Sequence, residues 1–148
     1  TQTQEKTTEI NLAKILNEIS DSFKSTNLKI LLENDQITLK GRPTSLRRSF
    51  ENIIQNGLIY GEKVEVKVQK SANRLLIFFE DDGPGIPEDQ YKNVFKPFFR
   101  LDKSRSLNKS GVGLGLAIVE DVINSHGGNI QLGKSKLKGL QVKVSLPF

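Results

Sequence analysis

Apolar residues recur at helical spacing near the start of the chain, at Leu12, Ile15, Leu16, Ile19 and Phe23, with Asn11 placed to cap them. This predicts an amphipathic helix running to about Ser25. Residues 28–33 and 37–40 are short apolar runs divided by Asn34-Asp35, which reads as two strands and a tight turn. Gly41-Arg42-Pro43 breaks the pattern, and Leu46, Phe50, Ile53, Ile54, Gly57 and Leu58 then mark the core face of a second helix. Val64, Val66 and Val68 alternate with Glu65, Lys67 and Gln69, as in a half-exposed strand. Ser71-Ala72-Asn73 turns that strand into an apolar run, residues 75–79, read as a buried strand. A short acidic-start turn over residues 88–94 follows. A third helix is expected from Leu114 to about Ser125, with Leu114, Ala117, Ile118 and Val122 inward and Gly127-Gly128 closing it. Residues 130–133 and 140–146 make a final hairpin.

Residues 1–8 are polar and without period, and read as a tail or linker stub ahead of one domain over 9–148. A chain of 148 residues is long enough to bury a core of its own. There is no Cys, so no disulfide framework is possible, which suits a reducing compartment. No apolar run approaches the ~20 residues of a membrane span, and the first residues lack the apolar core of a signal peptide. The formal charge of +5 is spread along the chain. Over residues 96–110, however, Lys96, Arg100, Lys103, Arg105 and Lys109 stand against Asp102 alone. That bias favours an anionic ligand, suits nucleic acid as an alternative, and on composition alone is equally a solvated face.

The chemistry gathers at Glu80-Asp81-Asp82-Gly83-Pro84-Gly85-Ile86-Pro87, where the apolar run ends in an acidic, Gly-rich turn. An ionised Asp only accepts hydrogen bonds, so it suits a ligand that offers an amino group. Glycines without a Cβ let a flat ring approach the backbone. An adenine meets both conditions, although Asp-Gly and Pro-Gly are also the commonest formers of plain turns. A second Gly-rich stretch, Ser110-Gly111-Val112-Gly113-Leu114-Gly115-Leu116, opens the third helix, where unpaired backbone N–H groups attract phosphate. On the second helix Asn52, Asn56 and Tyr60 lie at i, i+4 and i+8 in a polar row. Such a row is either a surface edge or a set of amide oxygens aimed at a hard cation, with a ring face for a base.

Four segments in order, Asn52-Ile-Ile-Gln-Asn56, Asp81-Asp-Gly83-Pro-Gly85, Phe95-Lys-Pro97-Phe98 and Gly111-Val-Gly113-Leu-Gly115-Leu116, resemble the N, G1, F and G2 boxes of the catalytic ATP-binding domain of sensor histidine kinases. The resemblance covers about residues 10–148 and is nearest to osmosensor-type members of this GHKL superfamily. It implies a two-layer α/β sandwich (the Bergerat fold), a mixed, mostly antiparallel sheet covered on one face by three helices. It implies ATP and Mg2+ as cofactors, with Asn56 ligating the metal and Asn52 beside it. Asp81 would accept from the adenine amino group, Gly83, Gly85 and Ile86 would shape that wall, and Tyr60 would stack on the base. Phe95 and Phe98 would anchor a lid over residues 96–112, and Gly111, Gly113, Leu114, Gly115 and Leu116 would hold phosphates. Arg100 is the candidate contact for the transferring phosphate.

The family often carries Lys or Arg where Ile59 stands and Thr where Val112 stands, so lid cations would have to supply charge at the phosphates. ATPases of the superfamily carry a Glu at the position of Asn52, and Glu51 points about a quarter-turn away. The resemblance therefore implies poor hydrolysis and transfer of the γ-phosphate to a histidine on a separate dimerisation domain, for relay to a response regulator. A regulatory module that binds ATP or ADP without transfer, or an ATPase, is the alternative. His126, the one histidine, sits at a helix end and reads as structural. The expectation is thus a catalytic piece of a larger kinase, inactive without its phosphoacceptor. It would lie on the cytoplasmic face of a membrane-anchored parent, touching neither membrane nor nucleic acid itself.

Overall fold

The computed structural model of the chain describes residues 5–24, 27–33, 36–97 and 115–148. The order of elements is β1 (Thr8–Asn11), α1 (Leu12–Phe23), β2 (Leu28–Leu32), β3 (Thr38–Gly41), α2 (Pro43–Tyr60), β4 (Val64–Ser71), β5 (Arg74–Asp81), α3 (Leu116–Ser125), β6 (Asn129–Lys134) and β7 (Leu140–Pro147). Short 3-10 turns lie at Glu88–Gln90 and Asn93–Phe95. Five strands form one mixed sheet in the order β2-β4-β5-β7-β6. Within it β2 runs parallel to β4 and the other neighbours are antiparallel. The described helices cover one face, so the expected two-layer α/β sandwich is the fold observed.

Local chemistry sets the ends of the helices. The Asn11 side chain accepts from Lys14 N at 3.0 Å, which starts α1, a cap of the kind that stabilises by ~1 kcal/mol. The helix stops at Phe23 because Lys24 turns left-handed, at φ 52. At the other end of the chain α3 closes on Gly127, at φ 77: Gly127 N donates to Asn124 O and Gly128 N to Ile123 O, both at 3.0 Å. That paired bond is a Schellman closure, and it needs the glycine.

The core lies between the sheet and these helices. Val66, Val68, Leu75, Ile77, Phe79, Val142, Val144 and Leu146 point from the sheet into it. The α2 residues Leu46, Phe50, Ile53 and Ile54 meet them, with the Phe50 and Phe79 ring centroids 5.8 Å apart.

Three expectations need correction. The runs at 28–33 and 37–40 are strands but do not pair with each other. β2 joins the main sheet beside β4, while β3 pairs antiparallel with β1, register Thr8 to Gly41, in a separate two-stranded sheet. A turn signal between two strands says nothing of their partners, and β1 is too polar to announce itself. The apolar run of β5 is not buried throughout: Leu75, Ile77 and Phe79 enter the core, whereas Leu76 and Phe78 are half-buried on the other face. In α3 the inward residues are Leu116, Val119, Val122 and Ile123, and Ile118 is 62% exposed. Of the residues expected inward there, Val122 is buried, Ala117 is half-buried, and Leu114 lies outside the described residues. The helix begins at Leu116 behind the left-handed N-cap Gly115, and its buried stripe runs through Val119 and Ile123 instead of Ile118.

Candidate functional site

Asp81 ends β5 opposite Val64 of β4, where the sheet delivers its carboxylate to the last turn of α2. Its Oδ1 accepts from Gly83 N at 2.9 Å and from Leu140 N at 3.1 Å. Its carbonyl accepts from Gly139 N at 3.0 Å. Burial holds this carboxyl above the usual carboxylate range, and the charges of Asp82 and Glu80 add to the rise, while the two backbone N–H groups pull it back. The group is thus fixed in direction by main-chain donors from two separate segments.

Glycines make that packing possible. A Cβ on Gly139 would collide with Asp81 Oδ1 and stand 2.5 Å from Gly83 N. A Cβ on Gly57 of α2 would stand 2.5 Å from Val64 Cγ2, 3.3 Å from Asp81 Cβ and 3.6 Å from Asp81 Oδ2. Gly83 lies against the backbone of Tyr60, with 3.1 Å from its Cβ position to the Tyr60 carbonyl. Gly85 takes φ 72, which an L side chain rarely adopts, and faces Gly139 O. Ile86 packs partly buried against the core beyond it. Asp82 works on the neighbouring loop: its Oδ1 accepts from Glu62 N at 2.7 Å and Lys63 N at 2.8 Å, tying the exit of α2 to this turn.

The polar row of α2 forms the other half. Asn56 Nδ2 donates to Asn52 Oδ1 at 3.1 Å, and both side chains are half-buried. Gly115, at φ 67, caps α3 against Asn52, with 2.5 Å from its Cβ position to Asn52 Nδ2. The second glycine stretch therefore ends on the asparagine row, and Leu116 is buried directly after it. Phe95 sits in the last 3-10 turn, half-buried beside the fully buried Val94. Glu51 turns to Arg47, 3.6 Å away, and takes no part in the asparagine pair.

Thus Asn52, Asn56, Gly115 and Leu116 come together, as do Asp81, Gly83, Gly85 and the Tyr60 backbone, while Ile86 packs against the core, and α2 joins the two groups. Phe98, Arg100, Gly111, Gly113 and Leu114 lie outside the described residues. Sequence reasoning missed Gly139 and Leu140, which hold Asp81 from β7. The only signal for them was a glycine immediately before an alternating strand.

The chain matches the family described as histidine kinase-, DNA gyrase B- and HSP90-like ATPase over residues 41–148. It belongs to this family. Among its relatives is the sensor histidine kinase CpxA of Escherichia coli, 39% identical over 111 residues, a stretch that is 74% of this chain and 24% of that protein. The sensor protein kinase WalK of Staphylococcus haemolyticus is 33% identical over 139 residues, 90% of this chain and 23% of that protein. The histidine kinase domain of the E. coli osmosensor EnvZ superposes with a TM-score of 0.71 at 34% identity, covering 94% of this chain and 87% of that one. The catalytic domain of histidine kinase ThkA gives a TM-score of 0.80 at 24% identity, over 96% and 95% of the two chains. Within the family this chain is therefore an ATP-binding catalytic domain of the sensor histidine kinase kind. It spans about a quarter of the length of the sensor kinases it matches. No helix among the described residues is long and apolar enough to cross a membrane.

Proposed function

We propose that this histidine kinase-type domain binds Mg-ATP and passes the γ-phosphate to a histidine on a separate dimerisation domain, which then donates it to a response regulator. The observation that carries the reading is Asp81, a half-buried carboxylate whose Oδ1 is consumed by two backbone donors while Oδ2 lies beside the glycine of α2. A fixed acceptor in a cradle that side chains would fill suits a planar base with an exocyclic amino group. Gly83, Gly85 and Ile86 form its wall, and Tyr60 supplies the ring that stacks on it.

The metal fits the asparagine row in the same way. Neutral amide oxygens are hard ligands, and a magnesium ion that keeps water and phosphate oxygens asks for few of them from protein. Asn56 is the ligand and Asn52 orients it through the Nδ2–Oδ1 bond. Gly115 and Leu116, with Gly111, Gly113 and Leu114 before them, receive the phosphates at the start of α3. Phe95 and Phe98 anchor the lid, and Arg100 reaches the transferring group. Bound magnesium neutralises phosphate charge, and the rest of phosphoryl transfer is positioning. Glu51, engaged with Arg47, leaves the pocket without a carboxylate base on α2 for water, which favours transfer over hydrolysis. ATP and ADP, the dimerisation domain and the regulator are the partners in this reading. The domain works on the cytoplasmic face without touching membrane or nucleic acid.

Calorimetric titration of ATP with and without magnesium, beside Asp81→Asn, tests the pocket. Adding a histidine-bearing dimerisation domain in trans and measuring acid-labile phosphate tests the transfer. Binding without any transfer would favour the regulatory reading, which Ile59 in place of a cation supports.

A further inference from the structure

The start of α2 is capped from outside the helix. Arg42 occupies the N-cap position with an extended backbone, but its side chain makes no cap bond and goes instead to Ser125 Oγ. Pro43 follows and has no N–H to satisfy. The first intrahelical bond at this end is Leu46 N to Arg42 O, at 3.1 Å. That leaves the N–H groups of Thr44 and Ser45, and one side chain takes both. Glu5 Oε2 accepts from Thr44 N at 2.8 Å, and Glu5 Oε1 accepts from Ser45 N at 3.1 Å and Ser45 Oγ at 3.2 Å. A carboxylate there also lies at the positive end of the helix dipole.

The route back to the helix is short. From Glu5 the chain enters β1, whose Thr8 pairs with Gly41 of β3, and Gly41 directly precedes Arg42. Residues 5–11 are therefore fastened to the entrance of α2 at two levels, by a carboxylate and by a strand. The same helix carries Asn52, Asn56 and Gly57.

We infer that Glu5 is a positioning residue for the nucleotide site, clamping the segment ahead of β1 onto the N-terminus of α2 so that the asparagine row and Gly57 are held at working distance from Asp81. The functional half of this inference rests on the Mg-ATP reading; the clamp itself does not. Coupling of this kind is reciprocal, so a ligand that tightens α2 also tightens the hold on Glu5.

The test uses the full chain as wild type, Glu5→Ala, Glu5→Gln and Glu5→Ala with Arg42→Ser, which places a hydroxyl cap on the helix itself. Amide hydrogen exchange at Thr44 and Ser45 is read beside ATP affinity. In Glu5→Ala the two amides exchange about fivefold to tenfold faster, the range expected for losing a cap, and ATP affinity falls severalfold. Glu5→Gln gives an intermediate loss. Arg42→Ser in the Glu5→Ala background slows exchange at Ser45 and restores affinity, a rescue that a general packing defect would not show. Unchanged exchange in Glu5→Ala overturns the clamp. Faster exchange with unchanged ATP affinity overturns the positioning role. A wild-type chain that binds no ATP refutes the Mg-ATP reading and the positioning role with it, while exchange still decides whether Glu5 docks.

Discussion

His126 Nε2 accepts the backbone N–H of Arg42 at 2.9 Å, joining the last turn of α3 to the first of α2. Its Nδ1 lies 2.7 Å from Val122 O. With one nitrogen accepting and the other facing a carbonyl, the ring is neutral and carries its proton on Nδ1. Burial holds its pKa below the ordinary histidine value; the Val122 carbonyl draws it up, the Arg42 charge lowers it and Glu5 raises it. A folded value below the unfolded one means that the unfolded chain binds more protons as the solution is acidified. The stability that His126 contributes is complete above about pH 6.5 and is lost as pH falls toward the depressed folded value. Thermal midpoints between pH 7.5 and 5.5 should fall more steeply for the wild type than for His126→Gln.

Asp81→Asn keeps an oxygen for Gly83 and Leu140 and turns the other arm into a donor. Folding should persist, with a thermal midpoint close to wild type, while ATP affinity drops tenfold or more, about 1.4 kcal/mol. Equal affinity for both proteins in calorimetry would remove Asp81 from base recognition.

Gly139→Ala places a methyl group on Asp81 Oδ1. The turn must shift, at a cost on the order of 1–3 kcal/mol for overpacking, and the carboxylate moves with it. Denaturant unfolding reads the first effect and ATP titration the second. A loss of stability with unaltered ATP affinity would show that the β7 start is scaffold alone.

Gly57→Ala acts on the same carboxylate from the helix side, through Val64 Cγ2 at 2.5 Å. Here α2 itself is displaced, so the asparagine row moves as well. Magnesium dependence of ATP binding should weaken along with affinity, which Gly139→Ala would not cause. Titrations at several magnesium concentrations separate the two.

The residues gathered around Asp81 were more legible in the sequence than the strand pairing around them. Asp81, Gly83 and Gly85 stand in one octet, and Asn52 and Asn56 share one helix edge, so local spacing offered them as candidates and the order of the four segments singled them out. What holds them was scattered. Gly139 and Leu140 reach Asp81 from far along the chain, and Glu5 lay in a polar stretch read as a tail or linker stub. Strand pairing failed for a related reason, because the partner of β3 precedes α1 and periodicity has no memory across a helix. The exposed Ile118 shows the limit for helices: its apolar character fitted a stripe, but the buried stripe of α3 runs through Val119 and Ile123.

The parallel pairing of β2 with β4 has a kinetic consequence. Its register joins Leu28 to Val64, so forming it closes a loop that contains β3 and all of α2, whereas β4 meets β5, and β6 meets β7, across nearby turns. Contacts between residues far apart in sequence gain their stability only after the intervening chain has lost its freedom. The two hairpins should therefore be formed in the folding transition state and β2 should join afterwards. Truncating Ile30 would then speed unfolding and leave the refolding rate nearly untouched, while truncating Ile77 would slow refolding.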